Sequence, residues 1–536
     1  MKRRRLLKLA GAATASLLGS NDASLAAPVD AGSGPRGSIA AARAPLPVRM
    51  GFLRLTALAC AFLCFAAGAW SQPIEIGSRL ELFVDDHVIE RLAGEARRRL
   101  HRPTPRELAI TYDKPWEGNN SAYVTVFRDG DIYRMYYRGR QIDLSSGKLV
   151  FTHEQVICYA ESRDGIHWTR PNLGLIEFEG SKQNNIIWQG VGSHNFAPFK
   201  DTNPAAAPGA RYKALGGVKS EGGLYAFQSP DGIHWSKTRD EPVITKGYFD
   251  SQNLAFWDTG QGEYREYHRE FREGRDIMTS ASTDFLSWGE AKFIAYSPGR
   301  LTQLYTNQIL PYYRAPHILL GFPTRYIAGR GHLTPFNERL SKVSMRYGTD
   351  YTDGGFMASR DRLHFKMWDE AFIRPGPLEE GRWVYGGNYQ NWGLVETAAA
   401  VSGSPNEISV YSSEGNGWEG PGVGLRRYTL RIDGFVSVEA PLAGGELLTK
   451  PLTFAGSELV LNFSTSAAGS VQVELQDEKG MPIENFTLAD CPEMYGDSIE
   501  RKIEWKQAAD VRALQGRAVR LRFVIKDADV YSFRFR

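Results

Sequence analysis

Ser162-Arg163-Asp164-Gly165-Ile166-His167-Trp168 returns almost unchanged as Ser229-Pro230-Asp231-Gly232-Ile233-His234-Trp235. In the looser form Ser-x-(Asp/Glu)-x-x-x-aromatic it recurs at Ser282/Asp284/Trp288, Ser359/Asp361/Phe365 and Ser412/Glu414/Trp418. Each copy follows a short strand-like run (VICYAE, LYAFQ, IMTSA, GFMA, ISVY). The carboxylate can bind backbone N–H groups inside a turn, Gly supplies conformations that other residues resist, and the aromatic opens the next strand. The copies lie roughly 50 to 80 residues apart, room for one four-stranded blade each. Five turns predict five blades.

The 536 residues exceed one domain, and 42% hydrophobic with 12% aromatic residues suffices for sizeable cores. The formal charge of +3 hides an asymmetry. Residues 1–71 hold nine Lys/Arg against two Asp, and the remainder is net −4. No nucleic-acid footprint is expected from such a chain. Cys60 and Cys64 lie in the same leader, while Cys158 and Cys491 fall in different predicted domains, so buried free thiols are expected rather than a disulfide.

Residues 1–20 carry Arg3-Arg4, Leu6-Leu7-Lys8 and a small apolar stretch, which resembles a twin-arginine export signal. A second leader starts at Met50, with an apolar run from Leu55 to Ala69 and small residues suited to cleavage. The chain is therefore expected to be secreted or periplasmic, monomeric, and off the membrane once the leader is removed. Residues 75–440 read as the propeller. Residues 441–536 alternate cleanly (ELVLNFSTS, SVQVELQD, AVRLRFVIKD), the period of a β-sandwich. The expected fold is all-β: a five-bladed β-propeller followed by a C-terminal β-sandwich.

In a propeller the innermost strand of each blade lines the channel, and loops at one end form the pocket. Around these strand starts the chain reads Glu117-Gly118-Asn119-Asn120-Ser121, Ser193-His194-Asn195-Phe196, Asp250-Ser251-Gln252-Asn253, Tyr305-Thr306-Asn307-Gln308 and Gly387-Asn388-Tyr389-Gln390-Asn391-Trp392. Strand interiors disfavour Asn, so amides recurring there suggest a polar pocket. Amides donate and accept, as sugar hydroxyls require, and an indole can stack on a sugar face. Asn119, Asn120, His194, Asn195, Asn253, Asn307, Asn391 and Trp392 are the candidate carbohydrate-binding residues.

The turn array with an appended sandwich resembles the five-bladed propeller glycoside hydrolases of families 32 and 43. Phe199-Lys200-Asp201 looks like the family's Arg-Asp-Pro motif, with Lys for Arg and Thr202 for Pro. Trp116-Glu117-Gly118-Asn119-Asn120-Ser121 is similar in placement to its nucleophile motif, with Asn120 or Ser121 where the family has Asp. Asp250 is placed like the family's blade-three acid. Glycoside cleavage uses two carboxyls, about 5 Å apart for retention and roughly 6.5–9.5 Å for inversion. The expected roles are Asp201 as transition-state or pKa-tuning carboxylate, and Glu117 with Asp250 as the acid/base or nucleophile pair. Glu396, Asp85 and Asp86 are further carboxyls near the axis. Asp164, Asp231, Asp284, Asp361 and Glu414 are set aside as turn residues. No HExxH, paired CxxC, phosphate loop or Gly-x-Ser-x-Gly is present, and no metal or cofactor is expected. Two rivals remain: a non-catalytic carbohydrate-binding propeller, and a sialidase-like hydrolase with arginines drawn from Arg138, Arg269 and Arg325.

Overall fold

The computed structural model describes residues 72–299, 302–414, 418, 424–508 and 510–536. Both leader readings, with Cys60 and Cys64, lie outside these residues. The described chain is almost wholly strand, its α-helices being Pro335–Val343 and Met345–Thr349.

Five successive sheets, of five, four, four, seven and four strands, form a propeller. The first contains Ala122–Asp129, Ile132–Gly139, Val156–Ser162 and Trp168–Thr169. The second contains Ala197–Lys200, Tyr212–Gly216, Tyr225–Ser229 and Ser236–Lys237. Leu254–Asp258, Glu263–Phe271, Arg275–Ser282 and Lys292–Phe293 make the third. The fourth is built around Leu310–Tyr312, Ala315–Gly321, Tyr351–Ser359 and His364–Ile373. The fifth joins Val395–Thr397, Glu407–Ser413 and Gly424–Arg431 to an outermost strand from the other end of the chain, Thr104–Thr111. Residues 383–392, which precede its first strand, make only isolated bridges.

The seams between sheets show why the turn repeats. In the first copy Ser162 Oγ accepts from the Asp164 and Gly165 N–H groups, and Asp164 Oδ1 accepts from those of Ile166 and His167 at 2.8 Å each. The copies at Ser229, Ser282 and Ser359 place the same serine–aspartate bond at the head of the turn. The fourth residue is left-handed in all four: Gly165, Gly232, Phe285 and Arg362 have φ of 72°, 79°, 69° and 73°. A tyrosine of the preceding sheet then seizes that residue's carbonyl: Tyr136 on Gly232 at 3.0 Å, Tyr267 on Arg362 at 2.9 Å, and Tyr411 on Gly165 at 2.5 Å. The last of these joins the fifth sheet to the first. The fifth sequence copy departs from the others. Glu414 binds Arg426 and Arg382, and residues 415–417, which would close its turn, lie outside the described residues.

Amides close the axis. Gln252 Nε2 donates to Thr125 Oγ1 at 3.0 Å, and Gln308 Nε2 to Gln252 Oε1 at 2.7 Å and the Gln390 carbonyl at 2.9 Å. Trp392 is buried beside this plug, its Nε1 donating to the Ile309 carbonyl at 2.9 Å, so it offers no face to a sugar.

Outside the five sheets stands a ten-stranded one dominated by Leu459–Asp477 and Val519–Phe535. Their ladder slips between Thr465 and Ser470, so each long strand serves two sets of partners around a core that includes Leu461, Val473, Trp505, Phe523 and Phe533. Strands from Ile74 to Leu100 also pair into this sheet, as does Val436–Ala440, outside the 441–536 stretch expected for it. Asp433 ties the two parts together, its carboxylate accepting from Tyr312 Oη at 2.6 Å, Arg314 Nε at 3.0 Å and Ser532 Oγ at 2.7 Å. Cys158 and Cys491 are buried free thiols.

Candidate functional site

The lead-ins to the second and third inner strands meet at the propeller mouth. His194 Nε2 lies 3.0 Å from Asp250 Oδ1, and Arg269 Nη2 lies 3.4 Å from Oδ2. The Asp250 side chain is 54% exposed at the mouth, with Arg138, Arg140, Tyr123 and Tyr305 around it. Enclosure alone would raise its pKa. The hydrogen bond with His194, then the Arg269 charge, outweigh this and hold the group well below the usual carboxylate range. Burial pushes His194 down to about 4, leaving a neutral imidazole that donates to Asp250 through Nε2. Nδ1 lies 3.1 Å from the side-chain amide oxygen of Gln155, whose NH₂ would face the ring after an amide flip.

The recurring asparagines are clamps for these lead-ins. Asn195 Nδ2 donates to the Gly217, Phe249 and Ser251 carbonyls, and its Oδ1 accepts from Gly217 N at 2.7 Å. Asn253 repeats the pattern on Phe249, Ser251 and the Arg269 N–H. Asn391 receives the Tyr411 N–H, and Asn307 the Ile309 N–H while it donates to the Tyr267 carbonyl. Each satisfies backbone groups where the chain leaves its ladder, which explains Asn at positions that disfavour it in a strand. Asn119 is likewise paired to both backbone groups of Ile142. These five side chains do not line the mouth. Asn120 and His194 reach it, Asn120 by accepting from Arg140 Nε at 2.8 Å.

Two of the three expected catalytic carboxylates lie elsewhere. Glu117 is fully buried. Tyr137 Oη at 2.6 Å, Arg170 Nε at 2.8 Å and the Asp113 and Lys114 N–H groups occupy its oxygens, and burial raises its pKa. Asp201 follows Ala197–Lys200, whereas His194 precedes it. The strand alone separates them by about 13 Å at roughly 3.3 Å per residue. There Asp201 takes Lys213 Nζ and Tyr264 Oη, fastening the second sheet to the third. The physical reason is polarity along the strand: residues after an inner strand emerge at the turn end, not at the mouth. Of the other carboxyls, Asp85 pairs with Arg360 and Glu396 with Tyr313 Oη. Asp86 pairs with Arg98.

The mouth instead gathers arginines and tyrosines. Arg138 lies 4.6 Å over the Tyr123 ring and donates to the His194 and Asn120 carbonyls. Arg269 lies 5.0 Å over Tyr305 and Arg275 4.0 Å over Tyr326. Tyr123 stacks on Tyr389 at 5.9 Å, Tyr389 on Tyr305 at 5.2 Å, and the Tyr305 and Tyr385 hydroxyls approach to 3.4 Å. Tyr123 reaches this position through a left-handed backbone (φ 56°), where its ladder slips between Ala122 and Thr125. Arg325, expected as a third mouth arginine, turns to Asp353 through Nε at 2.6 Å and Nη2 at 2.7 Å. Alignment of Tyr133–Arg138 with Tyr264–Arg269 places Arg138 and Arg269 at equivalent second-strand positions. That signal is visible in the sequence. Arg140 and the tyrosine stack have no such marker. The helices 335–349 also bring Arg346 to 5.4 Å from the Tyr385 ring, and Thr334-Pro335 with Asn337 is a capping signal for them. Among the described residues no three His, Cys, Asp or Glu group as a metal ion would need.

No family model matches the chain. Two uncharacterized proteins of Mycobacterium tuberculosis, MT1551 and Rv1502, are 28% identical to it over 137 residues, 25% of this chain. The matched stretch covers 40% of their length, so the chain spans about two fifths of the curated relatives it matches. Among solved structures, a glycoside hydrolase is 14% identical and covers 62% of this chain and 93% of its own, with a TM-score of 0.39. A family 43 arabinoxylan arabinofuranohydrolase from Bacillus subtilis is 11% identical over 81% of this chain and 99% of its own, at 0.37. The catalytic domain of a family 62 α-L-arabinofuranosidase from Coprinopsis cinerea is 8% identical over 62% and 97%, at 0.39. The propeller arrangement itself stands on the sheet pairings described above.

Proposed function

We propose that this chain is an exported glycoside hydrolase that works in the propeller mouth on a poly- or oligosaccharide. The observation that carries the reading is Asp250: an ionised, water-facing carboxylate at the meeting point of two inner-strand lead-ins, beside a stack of tyrosines. A carboxylate in that state suits the base or nucleophile half of a glycosidase pair, which takes a proton from water or attacks the anomeric carbon. It does not suit the acid half, which must hold its proton at working pH. His194 supports this role by donating to Oδ1 and fixing the carboxylate's orientation. The tyrosine rings supply an amphipathic wall of the kind sugars pack against.

A second reading, a non-catalytic carbohydrate-binding propeller, is favoured by Glu117 and Asp201 standing apart from Asp250. Hydrolysis of a polysaccharide panel by the mature chain and by Asp250→Asn separates the two. The hydrolase reading expects turnover that falls about 10³-fold in the variant. Binding without turnover by the unaltered chain favours the second reading. Export is tested by locating the full-length product outside the cytoplasm, and the monomer reading by its mass in solution.

A further inference from the structure

Away from the mouth, the buried Arg362 and Arg427 pair with Asp258 and Glu107, and the half-buried Arg134 and Arg325 pair with Asp129 and Asp353. The mouth differs. Arg138 is 3% exposed, and neither it nor Arg140 touches a carboxylate among the described residues; their partners are the neutral Asn120 and the His194 carbonyl. Arg269, 1% exposed, shares Asp250 with His194. Arg138 Nε, Arg269 Nε and Arg269 Nη1 are buried with no hydrogen-bond partner. Among the described residues three guanidiniums therefore stand around the Asp250 carboxylate, a surplus of positive charge at this point where desolvation makes an unmatched charge costly. Tyr123 and Tyr305 cover two of them with ring faces, which softens the cost and supplies no counter-charge.

We infer that the mouth selects an anionic sugar, a glycan unit carrying a carboxylate or sulfate group, whose negative charge completes the set formed by Arg138, Arg140 and Arg269. Guanidinium forks match the planar, multidentate oxygens of such groups. The inference rests on the mouth being the sugar site, and deepens the reading above by naming the substrate class. It also assigns Asp250 a second effect: its charge opposes the bound anion and keeps the empty site partly neutralised.

Calorimetric binding tests this with the mature full chain and three probes of matched length: a uronic-acid oligosaccharide, its carboxyl-reduced neutral counterpart, and a sulfated neutral oligosaccharide. An acidic probe should bind at least about tenfold tighter than the neutral one, and the preference should shrink as salt rises. Whichever of the uronate and the sulfate binds more tightly identifies the anion. Asp250→Asn should bind the acidic probe several-fold more tightly, because it removes the carboxylate beside the three guanidiniums, and should leave the neutral probe unimproved. Arg140→Gln, with an unchanged melting temperature, should weaken the acidic probe about tenfold and the neutral one little. Equal, salt-independent binding of acidic and neutral probes overturns the inference while leaving the hydrolase reading intact. Failure of every acidic probe to bind also overturns it. Tight, salt-sensitive binding of an acidic probe that the unaltered chain does not cleave upholds the inference and removes the hydrolase reading.

Discussion

His194 and Asp250 belong to different sheets and lie 56 residues apart in sequence, yet Nε2 and Oδ1 are 3.0 Å apart at the mouth. Burial of His194 makes the folded state pH-sensitive in a defined window. His194 falls from 6.5 to about 4 on folding because burial penalises its charged form. Between those values the unfolded chain binds the extra proton, so this stability is present above 6.5 and lost as pH falls towards 4. The shift corresponds to about 3 kcal/mol. Urea unfolding at pH 7 and pH 4.5 should show this loss, and His194→Gln should flatten most of it. Asp250 acts in the same sense but in a lower window. Its depressed pKa stabilises the fold above the unfolded carboxylate value and is lost only as pH falls below it.

Glu117 is predicted to be a structural tie. Replacing it by Gln leaves Arg170 with Asp113 as its remaining carboxylate partner and should cost about 1–3 kcal/mol in unfolding free energy. Turnover per folded molecule should stay within about twofold of the unaltered chain. A loss of turnover at full folding would return Glu117 to the catalytic set.

The ring should be weakest where its ends meet. A Cβ on Gly165 would stand 2.9 Å from Thr397 Cγ2 and 3.2 Å from the Tyr133 ring, on a residue with φ of 72°. Gly165→Ala is expected to lose about 1–3 kcal/mol, and Tyr411→Phe about 1 kcal/mol through the hydroxyl it removes from the Gly165 carbonyl. Combined, the two should cost less than their sum, since both act on one contact. Denaturant midpoints of the two single variants and the double variant check this.

Asp433 holds Tyr312, Arg314 and Ser532 at once, two from the fourth propeller sheet and one from the ten-stranded sheet. Asp433→Ala should destabilise by about 2–4 kcal/mol, because it leaves two buried hydroxyls without their acceptor and Arg314 with only Glu500. Hydrogen exchange should show the loss at Tyr312 and Ser532 before the distant second sheet responds. Uniform exchange throughout would speak against a local tie.

Much of the fold is local and can be read along the chain. The serine, carboxylate and left-handed residue of each turn sit within a few positions of one another, so the turn's hydrogen bonds are a property of the heptapeptide. The alternation in Leu459–Asp477 likewise needs no partner to be recognised. The fifth copy, Ser412 to Trp418, shows the limit. Its spacing matches, but Arg382 and Arg426 claim Glu414, and neither lies in the pattern. The closing strand Thr104–Thr111 was hidden for a related reason, since its partner Gly424–Arg431 lies at the far end of the propeller.

The site divides in the same way. Polar residues recur before inner strands because the backbone there leaves its ladder and needs partners, and Asn195, Asn253, Asn307 and Asn391 answer that local need. Their spacing resembles a sugar pocket, yet the side chains turn inward to carbonyls and N–H groups. The sequence alone determined the sheet-and-turn repeat and the polar character of its channel end. Only the tertiary structure decided which carboxylate faces water and which arginines go unmatched, because charge balance is summed across sheets that meet in space and not along the chain.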